Sequence, residues 1–284
     1  MINKRMRRRH FIGAMGTAAV ATSVMPLLSC SSRVPSTGLI LYTVRDAMEE
    51  DPEGTLNRIA EIGYNWIEAA DYSNGLFYGF DPARFAGIVN SAGMSLISSH
   101  NGMDMDNYER IIDDCAAAGM RYVIIPSLPG SAFKSAESLR QTVDLFNIVG
   151  ERAASAGLKA GFHNHQVELR DVDGIIPLDF FIENTDPDIF CFEMDIAWLT
   201  AAGASPVDYF NRYPGRFELL HIKDLTADKR DATLGEGTLD FNPVFAAVRK
   251  AGMKYFFIEQ DHCRTHTPME SAEISRQFLL DNIL

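Results

Sequence analysis

The sequence predicts a single (β/α)8 barrel preceded by an export signal. Three observations lead there. Eight short apolar runs, rich in β-branched and aromatic residues, alternate with stretches of helical periodicity. The segment that carries them has about the size of one such barrel, roughly 250 residues. Ionisable side chains end nearly every run: Arg45, Glu68, His100, His163, Asp195, His221 and Glu259. A closed barrel gathers the C-terminal ends of its strands into one ring, where its chemistry sits. A doubly wound sheet is the competing solution. If it bound a nucleotide it would need a glycine-rich phosphate turn after an early strand, and no G-x-G-x-x-G occurs.

Residues 1–29 read as a cleaved signal peptide. Lys4, Arg5, Arg7, Arg8 and Arg9 form a basic head, and an uncharged stretch rich in Ala, Gly and Thr runs from Phe11 to Leu28. Arg8-Arg9-His10-Phe11-Ile12 is twin-arginine-like. "LLSC", residues 27–30, resembles the bacterial lipobox, which makes Cys30 the expected lipidated N-terminus. The apolar stretch has about the length of a membrane anchor, but its Gly and Ala content makes it a poor one. Residues 30–37 follow as a short tether, and residues 38–284 as the barrel.

Strands are expected at 38–44, 65–69, 95–100, 121–126, 159–165, 189–195, 217–223 and 255–260. Helical stretches fall between most of them. Asp51-Pro52 and Asp81-Pro82 each supply an N-cap and a first helical residue, and the two helices end near Gly63 and Gly93. Apolar residues at 139, 143, 145, 146 and 149 keep a 3.6-residue period through a longer helix. Residues 242–252 form another short helix ending in Gly. The connection after the fifth strand, 172–188, is less regular and has room for only a short helix.

Charge and cysteine usage narrow the function. Removing the leader takes away five basic residues and no acidic ones, so the formal net charge moves from −12 to −17 over the remaining 255 residues. So acidic a chain is a poor partner for nucleic acid, whose phosphates are neutralised by Lys and Arg. After Cys30 only Cys115, Cys191 and Cys263 remain, with no disulfide framework and no zinc-finger spacing.

The later strands hold the chemistry. Asp195 closes "FCFEMD", His221 sits in "LLHIKD" and Glu259 closes "FFIEQ". A barrel brings these ends together as carboxylate, imidazole and carboxylate. With one more donor from the fifth strand they make a mixed N/O site that suits Mn, Zn, Co or Fe, and the lack of thiolate argues against a closed structural zinc site.

The motifs "GLILYTVRD", "GFHNHQVEL", "DIAWLTAAG", "HIKD" and "GEGTLDF", in this order, make the chain similar to the xylose isomerase-like TIM barrels, often labelled sugar phosphate isomerase/epimerase. The resemblance covers nearly the whole chain after the leader. It implies one divalent metal ion held by Glu, Asp, His and Glu on successive strands. Asp195, His221 and Glu259 match the last three. Many members read E-N-H on strand five, with that glutamate as ligand; here His163 stands in its place, followed by His165. Glu168, on the loop that follows, is the expected fourth ligand, because a hard oxygen donor keeps the site carboxylate-rich. His163 is then a supporting or substrate contact, and His165 orients its neighbours.

The resemblance also implies α-proton chemistry on a keto-sugar. A metal polarises the ketone, a carboxylate takes the adjacent proton, and the resulting enediolate is reprotonated. Return of the proton to the other face is epimerisation, and return to the neighbouring carbon is isomerisation. Glu259 and Glu168 are the expected acid and base, and Lys223 is placed to stabilise an oxyanion. Tyr42, Arg45, Glu68, His100 and Trp198 complete the candidate substrate contacts, although an ordinary core position is the stronger reading for Trp198. Export directs the choice toward a non-phosphorylated sugar in the periplasm or at the outer surface of a bacterial membrane. Two alternatives stand beside the isomerase/epimerase. One is a keto-glycoside lyase that expels a β-leaving group. The other is a non-catalytic sugar-binding lipoprotein, suggested by the missing glutamate.

Overall fold

The computed structural model describes residues 35–284. The expected signal peptide, Cys30 and the tether as far as residue 34 lie outside the described residues. The rest is a barrel of eight parallel strands: β1 (Gly38–Ile40), β2 (Trp66–Ala69), β3 (Ser95–Ser99), β4 (Tyr122–Ile125), β5 (Lys159–His163), β6 (Phe190–Asp195), β7 (Leu219–Ile222) and β8 (Tyr255–Ile258). Neighbours pair in parallel from β4 through β8 and on through β1 and β2 to β3. The amide of Arg121 donates to Ile97 O at 2.8 Å and that of Asn101 to Ile124 O at 2.9 Å, which completes the ring between β3 and β4.

Alternation along the strands sorts their side chains into two environments. Ile40, Ile97, Ile124, Cys191, Leu219 and Phe257 fill the barrel interior. Gly161 lies in that layer, where a Cβ would come within 2.7 Å of Ile124 Cδ1 and 3.1 Å of Cys191 Sγ, so glycine keeps the layer closed. The intervening residues, among them Leu39, Val123, Phe162, Phe192, Leu220 and Ile258, face outward and pack beneath the helices.

The helices are α1 (Arg45–Glu50), α2 (Pro52–Ile62), α3 (Pro82–Ser91), α4 (Tyr108–Ala117), α5 (Ala136–Ser155), α6 (Pro177–Asn184), α7 (Ile196–Ala201), α8 (Pro206–Arg212), α9 (Asn242–Ala251) and α10 (Pro268–Asn282). Helix α2 shows how local sequence fixes an element. Asp51 caps it by accepting from the Gly54 amide, Pro52 opens it, and Gly63 closes it at φ 103°. No helix among the described residues is long and apolar enough to cross a membrane.

One expected strand is shorter than its apolar run. Residues 38–44 are strand only to Ile40, and Leu41–Val44 turn into a 3-10 helix. Leu41 and Val44 are buried all the same, so burial alone produced the strand-like run. Two loops shape the barrel mouth. Tyr72–Ser73 pairs with Leu76–Phe77 across Asn74 (φ 54°) and Gly75 (φ 86°), an Asn-Gly turn with both central residues left-handed. Asp224 organises the loop after β7: its carboxylate accepts from the amides of Leu225, Gly235, Gly237 and Leu239. A Cβ on Gly237 would lie 2.1 Å from Asp224 Oδ1, which accounts for the glycine in "GEGTLDF".

Candidate metal centre and active site

His163 ends β5, Asp195 ends β6, His221 lies on β7 and Glu259 directly follows β8. Each offers a donor atom, and the four atoms lie within 4.8 Å of one another. All four residues are buried. His163 Nε2 is 3.6 Å from Asp195 Oδ2 and 3.9 Å from Glu259 Oε2, and His221 Nδ1 is 2.9 Å from Glu259 Oε2. His163 Nε2 has no hydrogen-bond partner, and Asp195 Oδ2 meets only the Lys223 ammonium, at 3.1 Å. Buried polar atoms are almost always paired, so the bare imidazole nitrogen facing a carboxylate oxygen fits a cation between them.

Local structure aims these groups. Asp195 caps α7, its Oδ1 accepting from the Trp198 amide at 2.8 Å, which leaves Oδ2 for the centre. His163 Nδ1 lies 3.2 Å from Pro126 O, a contact that fixes the ring and turns Nε2 inward. Asn164 links the two strand ends, accepting from the Asp195 amide at 3.1 Å.

Lys223, fully buried, stands over the centre. Its Nζ is 3.1 Å from Asp195 Oδ2, 2.9 Å from Glu259 Oε2 and 2.6 Å from Asp261 Oδ2. Burial alone would lower its pKa, but these three carboxylates outweigh it and hold the ammonium well above its ordinary value. In return, Lys223 and His221 overcome burial at Glu259 and hold that carboxyl well below the usual range.

A cavity of about 670 Å³ opens above this floor. His100, His163, His165 and Glu259 face it from below, and Tyr42, Asn74, Asn101, Arg110 and Asp261 form part of its wall. His165 packs edge-on against His163, with ring centroids 4.9 Å apart. Burial and the neighbouring His163 push its pKa down to about 3, so the ring is neutral at pH 7.

The structure departs from several sequence expectations. Glu168 is not in the donor group. It is buried in the short turn Val167–Leu169, and its Oε2 accepts from the His165 amide at 2.9 Å, so the side chain closes its own loop. His163 occupies the corresponding place in the donor group. Arg45 does not line this cavity: it donates to Tyr42 O and Asp261 O and braces the Asp261 loop. Trp198 lies behind the wall, with Lys223 Nζ 5.1 Å from its ring centroid and His165 beyond. Glu68 is fully buried beneath the floor, hydrogen-bonded to His221. Tyr42, His100 and His165 do line the cavity.

Two residues that face the centre were outside the expected set. Glu193 contacts His100 and His221 at 2.7 and 3.3 Å. It stands two residues before Asp195 on β6, so strand alternation turns both inward. Asp261, the last residue of "IEQD", completes the Lys223 triad.

Comparison with known proteins supports the fold and family. A sequence profile for the xylose isomerase-like TIM barrel matches residues 56–281. The chain is 26% identical over 152 residues to the inosose dehydratase of Lacticaseibacillus casei, an alignment covering 46% of this chain and 50% of the relative. The matched region thus spans about half the length of that relative. A crystal structure of a sugar phosphate isomerase/epimerase from Parabacteroides distasonis ATCC 8503 superposes with a TM-score of 0.80 at 26% identity, covering 90% of this chain and 96% of that one. The IOLI protein, crystallised with a bound zinc atom, has the same fold, with a TM-score of 0.67 at 15% identity over 87% and 97% of the two chains. The chain belongs to the xylose isomerase-like TIM barrel family.

Proposed function

We propose that the protein is a divalent-metal-dependent isomerase or epimerase that removes the proton beside the ketone of a non-phosphorylated keto-sugar. The observation that carries this reading is the set of four buried donors, with His163 Nε2 bare among them, under a polar cavity. His163, Asp195, His221 and Glu259 are the residues that would hold the metal, with His163 rather than Glu168 as the fourth ligand. Mixed N/O donors suit Zn, Mn, Co or Fe, and magnesium is compatible with the carboxylates. The IOLI protein, of the same fold and crystallised with a zinc atom, supports a metal-binding reading. Bound there, the metal would supply Lewis-acid polarisation of the ketone and its neighbouring hydroxyl.

The chain's own groups do the rest. Glu259 is held ionised and so is a proton acceptor. Lys223, behind the cavity wall rather than in its lining, fixes a positive charge beside Asp195, Glu259 and Asp261 and positions those carboxylates. His165, neutral at the cavity wall, and Tyr42 orient sugar hydroxyls. Deprotonation yields an enediolate, and return of the proton to the other face or the adjacent carbon gives the product. Asp71, Asp261 and Glu259 face the cavity, and among the described residues Arg110 is the one Lys or Arg that lines it, a poor setting for a phosphate dianion. That supports a neutral sugar or keto-glycoside.

A second reading keeps the first step and ends in β-elimination. The inosose dehydratase relative favours it, since loss of water beside a ketone begins with the same proton removal. One experiment separates the outcomes. The metal-loaded protein is incubated in D₂O with native and oxidised glycosides and followed by NMR. Deuterium incorporation with an isomeric product supports the first reading, and a released aglycone or water the second. No exchange with any keto-sugar sinks both and leaves a binding protein. Glu259→Gln should abolish exchange while the fold persists; full exchange in this variant removes Glu259 from its role. Lipidation at Cys30 and an exported, membrane-anchored location belong to the same proposal, on the order of the basic, apolar and LLSC segments.

A further inference from the structure

A second group of donors lies one layer deeper in the barrel. Glu68 on β2, His100 just after β3, Glu193 on β6 and His221 on β7 each bring a ligand atom within 4.8 Å of the others. Glu68, Glu193 and His221 are fully buried, and His100 reaches the cavity floor. His100 Nε2 is 2.7 Å from Glu193 Oε2 and 3.5 Å from Glu68 Oε2. His221 Nε2 is 2.7 Å from Glu68 Oε2 and 3.3 Å from Glu193 Oε1.

Nothing in the group above requires this arrangement. A carboxylate that orients a metal-bound histidine accepts its one free ring N–H, and a single carboxylate suffices for that. Here two carboxylates and a second imidazole converge. Among the described residues neither Glu68 nor Glu193 makes an ion pair with Lys or Arg. Glu68 Oε1 also lacks a hydrogen-bond partner. A buried acceptor left bare carries its full desolvation cost, and more when it is charged. Two ring protons or one divalent cation would each balance the two negative charges, but the rings bond the other oxygen of Glu68, and a cation could engage Glu68 Oε1 as well.

We propose that Glu68, His100, Glu193 and His221 form a second divalent-cation site beneath the one at His163, Asp195 and Glu259. The donor set of two imidazoles and two carboxylates suits zinc, manganese or cobalt. The cation enters past His100, the one member that reaches the cavity. His221 turns Nδ1 toward Glu259 and Nε2 toward Glu68, so its ring lies between the two sites. If both sites held a cation, His221 would be shared between them, and its ring would have to give up its proton to bind both.

The test is a count of zinc. The wild-type protein is equilibrated with Zn²⁺, freed of excess by gel filtration and measured by mass spectrometry. Calorimetric titration reports the number of binding steps, and circular dichroism checks the fold of each variant. The expected count is two per chain. Glu193→Gln and His100→Ala should each lose one equivalent and keep the other, and Asp195→Asn should lose the complementary one. A single zinc in the wild-type protein overturns the proposal, even if the variants fail to fold. So does a count of two that neither Glu193→Gln nor His100→Ala changes, because the extra ion then sits elsewhere. If Asp195→Asn keeps its full count while Glu193→Gln and His100→Ala each lose one, the upper site fails and the deeper one stands.

Discussion

Buried charge clusters sit at both ends of this barrel, and they are built differently. At the N-terminal end, Glu218 meets residues that begin or precede three other strands. Its Oε1 is 2.8 Å from Lys159 Nζ, and its Oε2 accepts from the Tyr122 hydroxyl at 2.7 Å and meets Lys254 Nζ at 2.7 Å. Both oxygens are paired. At the C-terminal end, Glu68 Oε1, His163 Nε2 and Glu168 Oε1 are buried without partners. Strand β7 touches both clusters, since Glu218 immediately precedes it and His221 is its third residue. One chain thus builds a closed ionic cluster and an open one a few residues apart. The closed cluster holds strands together, and the open one is shaped for something the chain does not itself provide.

The contrast is sharpest at Asp195. Asn caps a helix about as well as Asp but carries no charge. Asp195→Asn should therefore melt close to the wild type while losing the upper metal, with proton exchange down by roughly 10²-fold or more. Metal content and a melting curve on one sample check this. Large unfolding in Asp195→Asn would make the open cluster structural after all.

The next largest effect separates His163 from Glu168. His163→Ala should lose most of its upper-site metal. Glu168→Ala should retain it and show a loosened 165–169 turn, with a loss nearer 10-fold. A metal-free Glu168→Ala beside a loaded His163→Ala would restore Glu168 as the ligand.

Glu218→Gln tests the closed cluster. It should cost about 1–3 kcal/mol of stability by leaving Lys159 without its full partner, and leave the metal count untouched. The effect has a pH signature. Burial raises the Glu218 pKa, but hydrogen bonds from Lys159, Lys254 and Tyr122 outweigh it and hold the carboxyl below its usual value. Its stabilisation is therefore complete above the ordinary carboxylate range, near about 4.3. It is lost as pH falls through the depressed folded value. Chemical denaturation across pH should show the wild type and Glu218→Gln converging in acid. A constant gap would contradict this.

Cys30→Ala should have the smallest effect on the barrel: unchanged melting and metal content, with the protein moving from the membrane to the soluble fraction. Unchanged fractionation and size would remove the lipid anchor from the account.

The sequence made the barrel legible because nearly every apolar run ends in an ionisable residue, and all eight runs contain the observed strands. Legibility failed where burial and hydrogen bonding part company. Leu41 and Val44 are buried but not in a strand, so apolar patterning extended β1 too far. Helix α10 lies outside the expected helices, although Thr267 and Glu270 form a capping box around Pro268. Three of the four upper donors end apolar runs and were visible. The fourth depends on which way the 164–169 loop turns, and local sequence carries no sign of that direction. Glu193 sat in plain view inside "FCFEMD", where an acidic residue in an apolar run two positions before Asp195 was the available signal.

Lys223 bears on the order of events in the protein's life. Its ammonium already stands among Asp195, Glu259 and Asp261, so the upper carboxylates have a resident counter-charge before any ion arrives. If a metal ion binds there as proposed, the barrel could be completed first and charged later. Loading would then be a question of where the finished protein meets an ion, separate from the moment of folding.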